Sequence, residues 1–463
     1  MILVFTHKVS NSLHYVLKEI FVNQLHQSFE ITQDKNHYLQ ASAEIKIYYT
    51  ENQIPDFEGY WVPNSNFLFT ENFISINPKN DLPIGITQFP KNSIIDSALD
   101  NICKTLSINN ELKNNTTEFS NRYVYFPISS PLGFDVFAHV FALIANVEES
   151  LLQFQKKHWD RHGRFDTNQL NLVQNNMHLL PMADLAIQRL EQYLGLCPSK
   201  EKKFCIIPTA DIDQCFQFKG KSLIKLIGGG IKHPSTLPNR IQYMFTRNDH
   251  FSPSKSLATF LAKNPKSQIF WLVNSTETDK NKQIPRENTD FQSEIKNSKS
   301  YANLGIHPSY QNSKNHKIYQ EEKNWLEHVT NENIENSRQH YLHFELPQTY
   351  LDLESMGIKH DWSMGFSNTV GFRNGSSIPV KWFNIFDNKE HELSIHSFSI
   401  MDVTCKNYLK LNLFDSINLG NSLKQIIQQI NGQYTFIIHN ESYSEKDGWK
   451  GWRTTFNSWA STI

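Results

Sequence analysis

The stretch that decides the fold is FCIIPTADID, residues 204–213. It reads as a buried strand followed by two carboxylates, Asp211 and Asp213. A strand buried in a sheet cannot hold two carboxylates at its centre without paired charges, so we expect both at its exit, in a cleft. Residues two apart in an extended segment point the same way and can converge on one spot. A metal beside them would remove their repulsion, leaving one as ligand and one as base. A hydrogen-bonded turn at the strand end explains the pattern equally well.

From this strand onward, apolar runs that end in polar residues alternate with helical stretches. The strand-like runs are residues 204–209, 269–273, 304–306, 340–344, 358–366, 382–386, 393–398 and 434–438. The helical stretches are residues 254–263, 317–330, 347–356 and 419–430. This alternation predicts parallel strands with crossover helices, hence a β/α barrel or a doubly wound sheet, with chemistry at the carboxyl ends of the strands. Residues 275–300 are strongly polar and predict a long mobile loop.

The chain before this strand has a different pattern. Short alternating apolar runs up to residue 126, with one amphipathic helix at residues 13–25, indicate a small α+β domain. Apolar residues at helical spacing in residues 134–152 and 182–194 indicate a helical connection, and the aromatic segment 159–166 between them is interpreted as a turn that ties helices together. The predicted domains are therefore residues 1–125 (α+β), 126–200 (helical) and 201–463 (α/β, a distorted β/α barrel).

Composition excludes several classes of protein. The 463 residues carry 45 Lys and Arg against 46 Asp and Glu, a net charge of -1, which argues against nucleic acid as a partner. Five cysteines without C-x-x-C spacing fit a reducing compartment. No apolar run approaches the ~18 residues of a membrane span, and the five apolar residues at the start are too short for a secretory signal. We therefore expect a cytoplasmic protein.

Imidazoles recur where carboxylates do, at the ends of apolar runs. His307 follows residues 304–306, and His439 follows residues 434–438. Asp361 and His396 also lie in strand-like runs. A single histidine of this kind is usually a packed core residue, whereas several carboxylates and imidazoles at strand exits of one domain suit zinc or a similar divalent ion.

These residues, in this order, resemble the polysaccharide deacetylase family (NodB-like carbohydrate esterases), most closely the divergent bacterial branch with an extra amino-terminal domain. The motifs are TADID (residues 209–213), His307, RQHY (residues 338–341), the pair Asp361-Trp362, and the strand ending in His439. The resemblance covers residue 204 onward and implies a metal-dependent enzyme. It implies Asp211 as general base, Asp213 and His307 as metal ligands, His439 as catalytic acid, and Arg338 and Asp361 as residues that orient these groups.

The sequence departs from the family pattern at two positions. Ile212 separates the two aspartates, which are adjacent in the family, and Gln311, a weak metal ligand, replaces the second histidine of the metal motif. His340, where the family has proline, is our candidate for the third ligand, and loss of the metal is the alternative. Arg373, on a glycine-flanked loop, suits presentation of a guanidinium to the pocket or orientation of a carboxylate, and a turn with a surface arginine explains it equally well. If the resemblance holds, Arg373 orients the catalytic groups together with Arg338 and Asp361.

The resemblance implies a hydrolysis that removes an acetyl group from a saccharide, an N-acetyl group in preference to an O-acetyl group. For an N-acetyl group, the bond that is broken is a C–N bond other than a peptide bond. With cytoplasmic localisation, the expected substrate is a saccharide precursor or a lipid-linked sugar of envelope polysaccharide metabolism. A divalent metal, zinc by preference, would polarise the acyl oxygen and activate water. The aromatic residues Tyr310, Tyr341, Trp362 and Trp449 are either a sugar platform or core.

Two other functions stay open. One is a catalytically inactive deacetylase-like scaffold that binds glycan or protein, which Gln311 favours. The other is a metal-dependent amidohydrolase acting on a small amide that is not a sugar. The sequence indicates no oligomeric state.

Overall fold

The computed structural model describes residues 1–79, 81–83, 92–107, 131–154, 158–197, 202–232, 234–274, 281–310 and 316–462. The strands are β1 (Ile2–Thr6), β2 (Phe29–Thr32), β3 (Ile45–Thr50), β4 (Tyr60–Pro63), β5 (Cys205–Ile212), β6 (Gln268–Leu272), β7 (Asn303–His307), β8 (Asn336–Ser337), β9 (His360–Met364), β10 (Val380–Asn384), β11 (Lys389–Ser397), β12 (Ile400–Met401) and β13 (Gln433–His439). The helices are α1 (Asn11–Leu17), α2 (Lys35–Gln40), α3 (Ser93–Leu106), α4 (Val136–Ile144), α5 (Val147–Leu152), α6 (Asn171–Gln174), α7 (Met182–Tyr193), α8 (Leu223–Lys232), α9 (Leu237–Thr246), α10 (Pro253–Ser256), α11 (Ala258–Leu261), α12 (Thr289–Ser298), α13 (His316–Thr330), α14 (Gln348–Ser355), α15 (Leu413–Gln429), α16 (Asn440–Tyr443) and α17 (Trp452–Ala460).

Nine strands form the larger sheet, in the order β10-β11-β9-β8-β7-β6-β5-β13-β12. Neighbouring strands in this sheet are parallel except for the antiparallel pair β10 and β11. Strand β5, which contains most of the stretch 204–213, lies between β6 and β13 in the interior of the sheet. Its residues are buried from Ile206 to Ile212, as a strand covered on both faces requires. The mixed α/β class and the distorted barrel expected for this part of the chain are confirmed.

A separate, smaller sheet has the order β2-β1-β3-β4. All its pairs are parallel, whereas the alternating runs had indicated only an α+β domain without fixing strand direction. The predicted helix at residues 13–25 is present as α1 continued by a π-helical segment, Lys18–Gln24. A cleft of about 650 Å³ opens at the carboxyl ends of β1, β3 and β4, lined by residues that include His7, Thr50 and Asn64.

Polar side chains buried between the two parts of the chain join them. Arg373 forms a two-point ion pair with Glu149 of α5, at 2.6 and 3.0 Å. Asp184 of α7 accepts hydrogen bonds from the Ser376 hydroxyl at 2.6 Å and the Ser377 amide at 2.8 Å. Because these groups are buried, they fix the position of the first part against the larger sheet.

Two predictions about secondary structure are wrong. Within the polar stretch at residues 275–300, α12 forms, capped by Asn288 and burying Phe291 and Ile295 against the core. Phe291 and Ile295 are four residues apart, and two apolar residues are too few to show a helical period in the sequence. The predicted strand at residues 340–344 is instead a short 3-10 turn, His340–Leu342, because Tyr341 and its successor adopt φ of 60° and 55°. The last of the short apolar runs of the first part of the chain, residues 123–126, lies outside the described residues.

Within the described part of the chain, no helix has the length and apolar character needed to cross a bilayer.

Candidate metal centre and active site

The ends of strands from across the larger sheet bring four of the candidate residues together: Asp213, His307, His340 and His439. His439 of β13 is level with Asp211 of β5, and His307 of β7 is level with Leu272 of β6, one residue beyond the position opposite Ile212. His340 follows β8. In a flat sheet β13 and β8, four strand spacings apart, would be separated by ~19 Å. His439 and His340 nevertheless both reach Asp213, so the sheet curls around this point.

Asp213 is the centre of the cluster. Its Oδ1 lies 3.2 Å from His307 Nε2, and its Oδ2 lies 3.5 Å from His340 Nε2 and 3.9 Å from His439 Nε2. Two ligands bound at ~2.1 Å to one tetrahedral zinc ion stand ~3.4 Å apart, which is close to the first two distances, although these end on different oxygens of Asp213. One atom each of Asp213, His307 and His340 lies within 4.8 Å of the others, a set that could hold a metal.

The hydrogen bonds of His307 show why a cation suits this place. Its Nδ1 lies 2.6 Å from the Arg338 carbonyl oxygen, which can only accept, so in the neutral ring the proton is on Nδ1 and the Nε2 lone pair faces Asp213. Accordingly, Asp213 Oδ1 is buried without a hydrogen bond. A divalent ion between these lone pairs would satisfy both, and the fixed tautomer is typical of metal-binding histidines.

The protonation states of Asp213 and His340 also suit metal binding. Burial by itself would raise the pKa of this carboxyl group, but His340, His307 and His439 outweigh burial and hold the pKa well below its usual range. Burial lowers the pKa of His340, partly offset by Asp213. Asp213 is therefore ionised and His340 neutral near pH 7, as metal ligands must be.

Asp211 is buried beside the cluster and paired with Arg338. Arg338 Nη1 donates to Asp211 Oδ1 at 2.8 Å and to the Thr209 hydroxyl at 2.8 Å, while Asp211 Oδ2 lies 4.0 Å from His307 Nε2. Arg338 is fully buried, and its Nε donates to the Trp362 carbonyl at 3.0 Å. This arrangement holds one carboxylate oxygen away from the cluster and leaves the other beside the candidate ligands.

His439 has a partner that the sequence analysis missed. Asp402 accepts from His439 Nδ1 at 2.8 Å and from the His439 amide at 2.7 Å, and it also accepts from the Ser442 hydroxyl. Burial would lower the pKa of His439, but Asp402, with Asp213 and Asp211, raises it well above its ordinary value. His439 is thus held as an imidazolium with Nε2 turned toward Asp213. Asp402 directly follows β12, the pattern that singled out His307, and that signal could have found it.

Aromatic residues border the cluster, and part of this border comes from the first half of the chain. Tyr341, 37% exposed, packs against His340 with ring centroids 4.6 Å apart, and the His162 ring stacks on Tyr341 at 6.0 Å. Tyr310 donates to the His162 carbonyl at 2.5 Å. Arg164, paired with Asp160, donates to the Tyr341 carbonyl at 3.4 Å. The segment 159–166, interpreted as a turn between helices, therefore contacts the rim of the site.

The structure does not bring the remaining candidates into the cluster. The Asp361 carboxylate accepts from the Ser363 amide and hydroxyl at 3.0 and 2.8 Å, and burial raises its pKa to about 6. Arg373 is occupied by Glu149 and does not present its guanidinium to the pocket. Trp362 and Trp449 are only 4% and 6% exposed, which favours the core interpretation over a sugar platform. Gln311 lies outside the described residues.

Comparison with known proteins gives limited matches. Residues 2–196 match the model of a family described as a family of unknown function (DUF7033). No curated protein matches the sequence. A protein from Mycobacterium smegmatis that is described as a polysaccharide deacetylase is similar in structure, with 13% identity, 57% of this chain and 85% of that chain covered, and a TM-score of 0.37.

Two further solved structures are similar to this chain. The polysaccharide deacetylase Bc1974 from Bacillus cereus has 10% identity, 51% and 79% coverage of this chain and that one, and a TM-score of 0.23. A mutant of BA3943, a CE4 family pseudoenzyme with restored enzymatic activity, has 12% identity, 51% and 66% coverage, and a TM-score of 0.21. The solved structures that the chain resembles are thus polysaccharide deacetylases and a pseudoenzyme of the CE4 family, at low identity and over part of the chain.

Proposed function

We propose that the protein is a metal-dependent hydrolase that removes an acetyl group, preferentially N-linked, from a saccharide or saccharide precursor. The observation that carries the proposal is the convergence of Asp213, His307 and His340, at ligand spacing, beside a buried carboxylate and an imidazolium. The motif resemblance supplies the reaction, and the geometry supports it because the candidate metal ligands, the candidate base and the candidate acid lie at one edge of the sheet.

Asp213, His307 and His340 would hold the ion. When bound, a divalent ion such as zinc lowers the pKa of a coordinated water and polarises an acyl oxygen. Asp211, with one oxygen fixed by Arg338, takes the proton of the attacking water as a C–O bond forms to the acetyl carbon. His439, kept protonated by Asp402, gives a proton to the sugar nitrogen as the C–N bond breaks. The products are acetate and the free amine.

The test measures metal content and acetate release on the purified chain. We expect close to one zinc ion per chain and acetate release from N-acetylated oligosaccharides that a chelator abolishes and zinc restores. Asp211→Asn should retain the ion and lose ~10²–10⁴-fold in turnover. Asp213→Asn should lose the ion, whereas His360→Gln, which changes a histidine bonded to His396 away from the cluster, should behave as wild type.

The same measurements separate the proposal from its alternatives. A chain that contains little zinc and binds saccharide equally with or without chelator would be an inactive scaffold. Release of acetate from small acylated amines, with none from acetylated sugars, would indicate an amidohydrolase of another class. Turnover that Asp211→Asn leaves unchanged would refute the proposed base.

A further inference from the structure

The two helices that follow β5 carry exposed apolar side chains on adjacent elements. On α8 and α9 these are Ile224 (84% exposed), Ile227 (58%), Ile231 (78%), Leu237 (44%), Ile241 (43%) and Phe245 (84%). Sixteen large apolar residues are exposed in the described part of the chain, and these six fall within 22 consecutive positions. Single exposed apolar residues are ordinary, whereas a cluster of this size marks a surface that binds something apolar.

The spacing places each set of three on one helix face. At ~100° per residue, the three isoleucines of α8 fall within about 60°, and the three residues of α9 within about 80°. The opposite faces are buried: Leu226 of α8 and Tyr243 of α9 pack with Phe218 in a small cluster separate from the main core. We call α8, α9 and their connection the apolar hairpin. One of its faces packs on the protein, and the other is apolar and exposed.

Gly229 leaves room for the Arg240 side chain between the two helices. A Cβ at Gly229 would stand 2.5 Å from the Arg240 guanidinium, so only glycine fits there without a shift of that side chain. Arg240 Nη1 crosses to donate to the Leu226 carbonyl of α8 at 3.0 Å. This bond ties the two helices together, which keeps their apolar faces side by side.

The base of the apolar hairpin is fixed beside the candidate active site. Asp249, just after α9, is buried and accepts from the amides of Gln217 at 2.9 Å and Phe218 at 2.7 Å, which closes the base. Asn440, the neighbour of His439, donates to the carbonyls of Gln214 and Phe251 at 2.8 Å each. The apolar hairpin therefore leaves the same edge of the sheet that carries the cluster.

The charge of residues 214–248 indicates which kind of partner suits the exposed face. Residues 214–248 contain four Lys and two Arg and no Asp or Glu, although the whole chain has a net charge of -1. The basic residues are Lys219, Lys221, Lys225, Lys232, Arg240 and Arg247. Docking of a second copy of the chain on this face would bring like charges together. Two acidic groups from other elements border the segment, because Asp290 pairs with Lys219 at 2.8 Å and Asp447 accepts from Asn239 at 3.1 Å. An apolar helical face with basic residues and no acidic ones on its own two helices is the pattern of helices that lie in the interface of an anionic bilayer.

We propose that the apolar hairpin binds the surface of a bilayer that contains anionic phospholipid, with its six apolar side chains entering the interface and Lys232 and Arg247, at the ends of the two helices, at the headgroups. The inference does not rest on the proposed function. If both hold, the active site is presented at a membrane surface, and the saccharide it acts on is lipid-linked.

The test is flotation of the purified full chain with vesicles. We expect it to bind vesicles of phosphatidylcholine with phosphatidylglycerol, less as salt rises, and to bind phosphatidylcholine alone weakly. The variant Ile224→Ser/Ile231→Ser/Phe245→Ser should lower the bound fraction at least tenfold. A matched control, Ile94→Ser/Phe414→Ser, changes side chains that are 46% and 71% exposed elsewhere and should bind as wild type.

Thermal melting and light scattering are the controls for the vesicle-binding test. Thermal melting of the triple variant should match wild type, because the three side chains are exposed. Absence of wild-type binding to the anionic vesicles, or equal binding by the folded triple variant, would overturn the proposal. So would a wild-type dimer, seen by light scattering, that the triple variant converts to monomer, because the face would then bind a second copy. Acetate release from a soluble saccharide is independent of these results, and its loss would count against the proposed function alone.

Discussion

We predict that Glu149→Gln, at a buried ion pair outside the cluster, destabilises the protein strongly. The Arg373–Glu149 contacts are 2.6 and 3.0 Å long, and the two side chains are 5% and 2% exposed. Charge centres ~4 Å apart interact by about 4 kcal/mol at an effective dielectric constant of ~20. Removing one partner of a buried pair, which leaves an unpaired charge, typically costs ~3–5 kcal/mol, so we expect the free energy of unfolding to fall by that amount.

The assay is urea unfolding followed by circular dichroism, with two comparisons. The double variant Glu149→Gln/Arg373→Met should recover part of the loss, because no unpaired guanidinium stays buried. Loss of the exposed Lys8–Glu71 pair, 3.4 Å long, should cost less than ~1 kcal/mol. A cost below ~1 kcal/mol for Glu149→Gln would refute the reasoning. So would an Arg373→Met variant of normal stability with reduced turnover, which would return Arg373 to the catalytic site.

Three further predictions concern pH and the rim. Asp402→Asn should bring the pKa of His439 down, so the alkaline limb of acetate release moves to lower pH and turnover falls ~10–100-fold; an unchanged pH profile would contradict the pairing. Burial raises the pKa of Glu148 from 4.5 to about 8, so its stabilising contribution is complete below pH 4.5 and is lost as pH rises through about 8. Glu148→Gln should therefore flatten the dependence of unfolding free energy on pH in urea titrations, and parallel curves would exclude the assignment. Arg164→Met, which frees the Tyr341 carbonyl, should raise KM for saccharide more than it lowers kcat; the reverse split would contradict a role in binding.

Local pattern was enough to find the residues at strand ends. The approach of Asp211 and Asp213 to one spot follows from the two-residue period of an extended chain, and an imidazole directly after an apolar run singled out His307 and His439. Whether a run is a strand at all was harder to predict. The actual strand near His340 is only two residues long, too short to show a pattern.

Partners distant in sequence could not be predicted. Asp402 could have been singled out as a strand-end residue, but its pairing with His439 depends on β12 lying beside β13, which no local signal reveals. Arg373 looked like a pocket arginine because its glycine-flanked loop does not disclose that Glu149 is opposite. Reading the segment 159–166 as a turn between helices likewise missed its contact with the rim, because that contact crosses from one part of the chain to the other.

The pairing of β5 with β13 has a consequence for synthesis of the chain. The Thr209 hydroxyl donates to the Phe436 carbonyl across 227 residues at 2.8 Å, so one long edge of β5 is left open until β13 leaves the ribosome. At a synthesis rate of ~5–20 residues per second, that edge of β5 stays unpaired for roughly 10–50 s. We expect nascent chains stalled before β13 to crosslink to chaperones through β5, and chains released after β13 to lose those crosslinks.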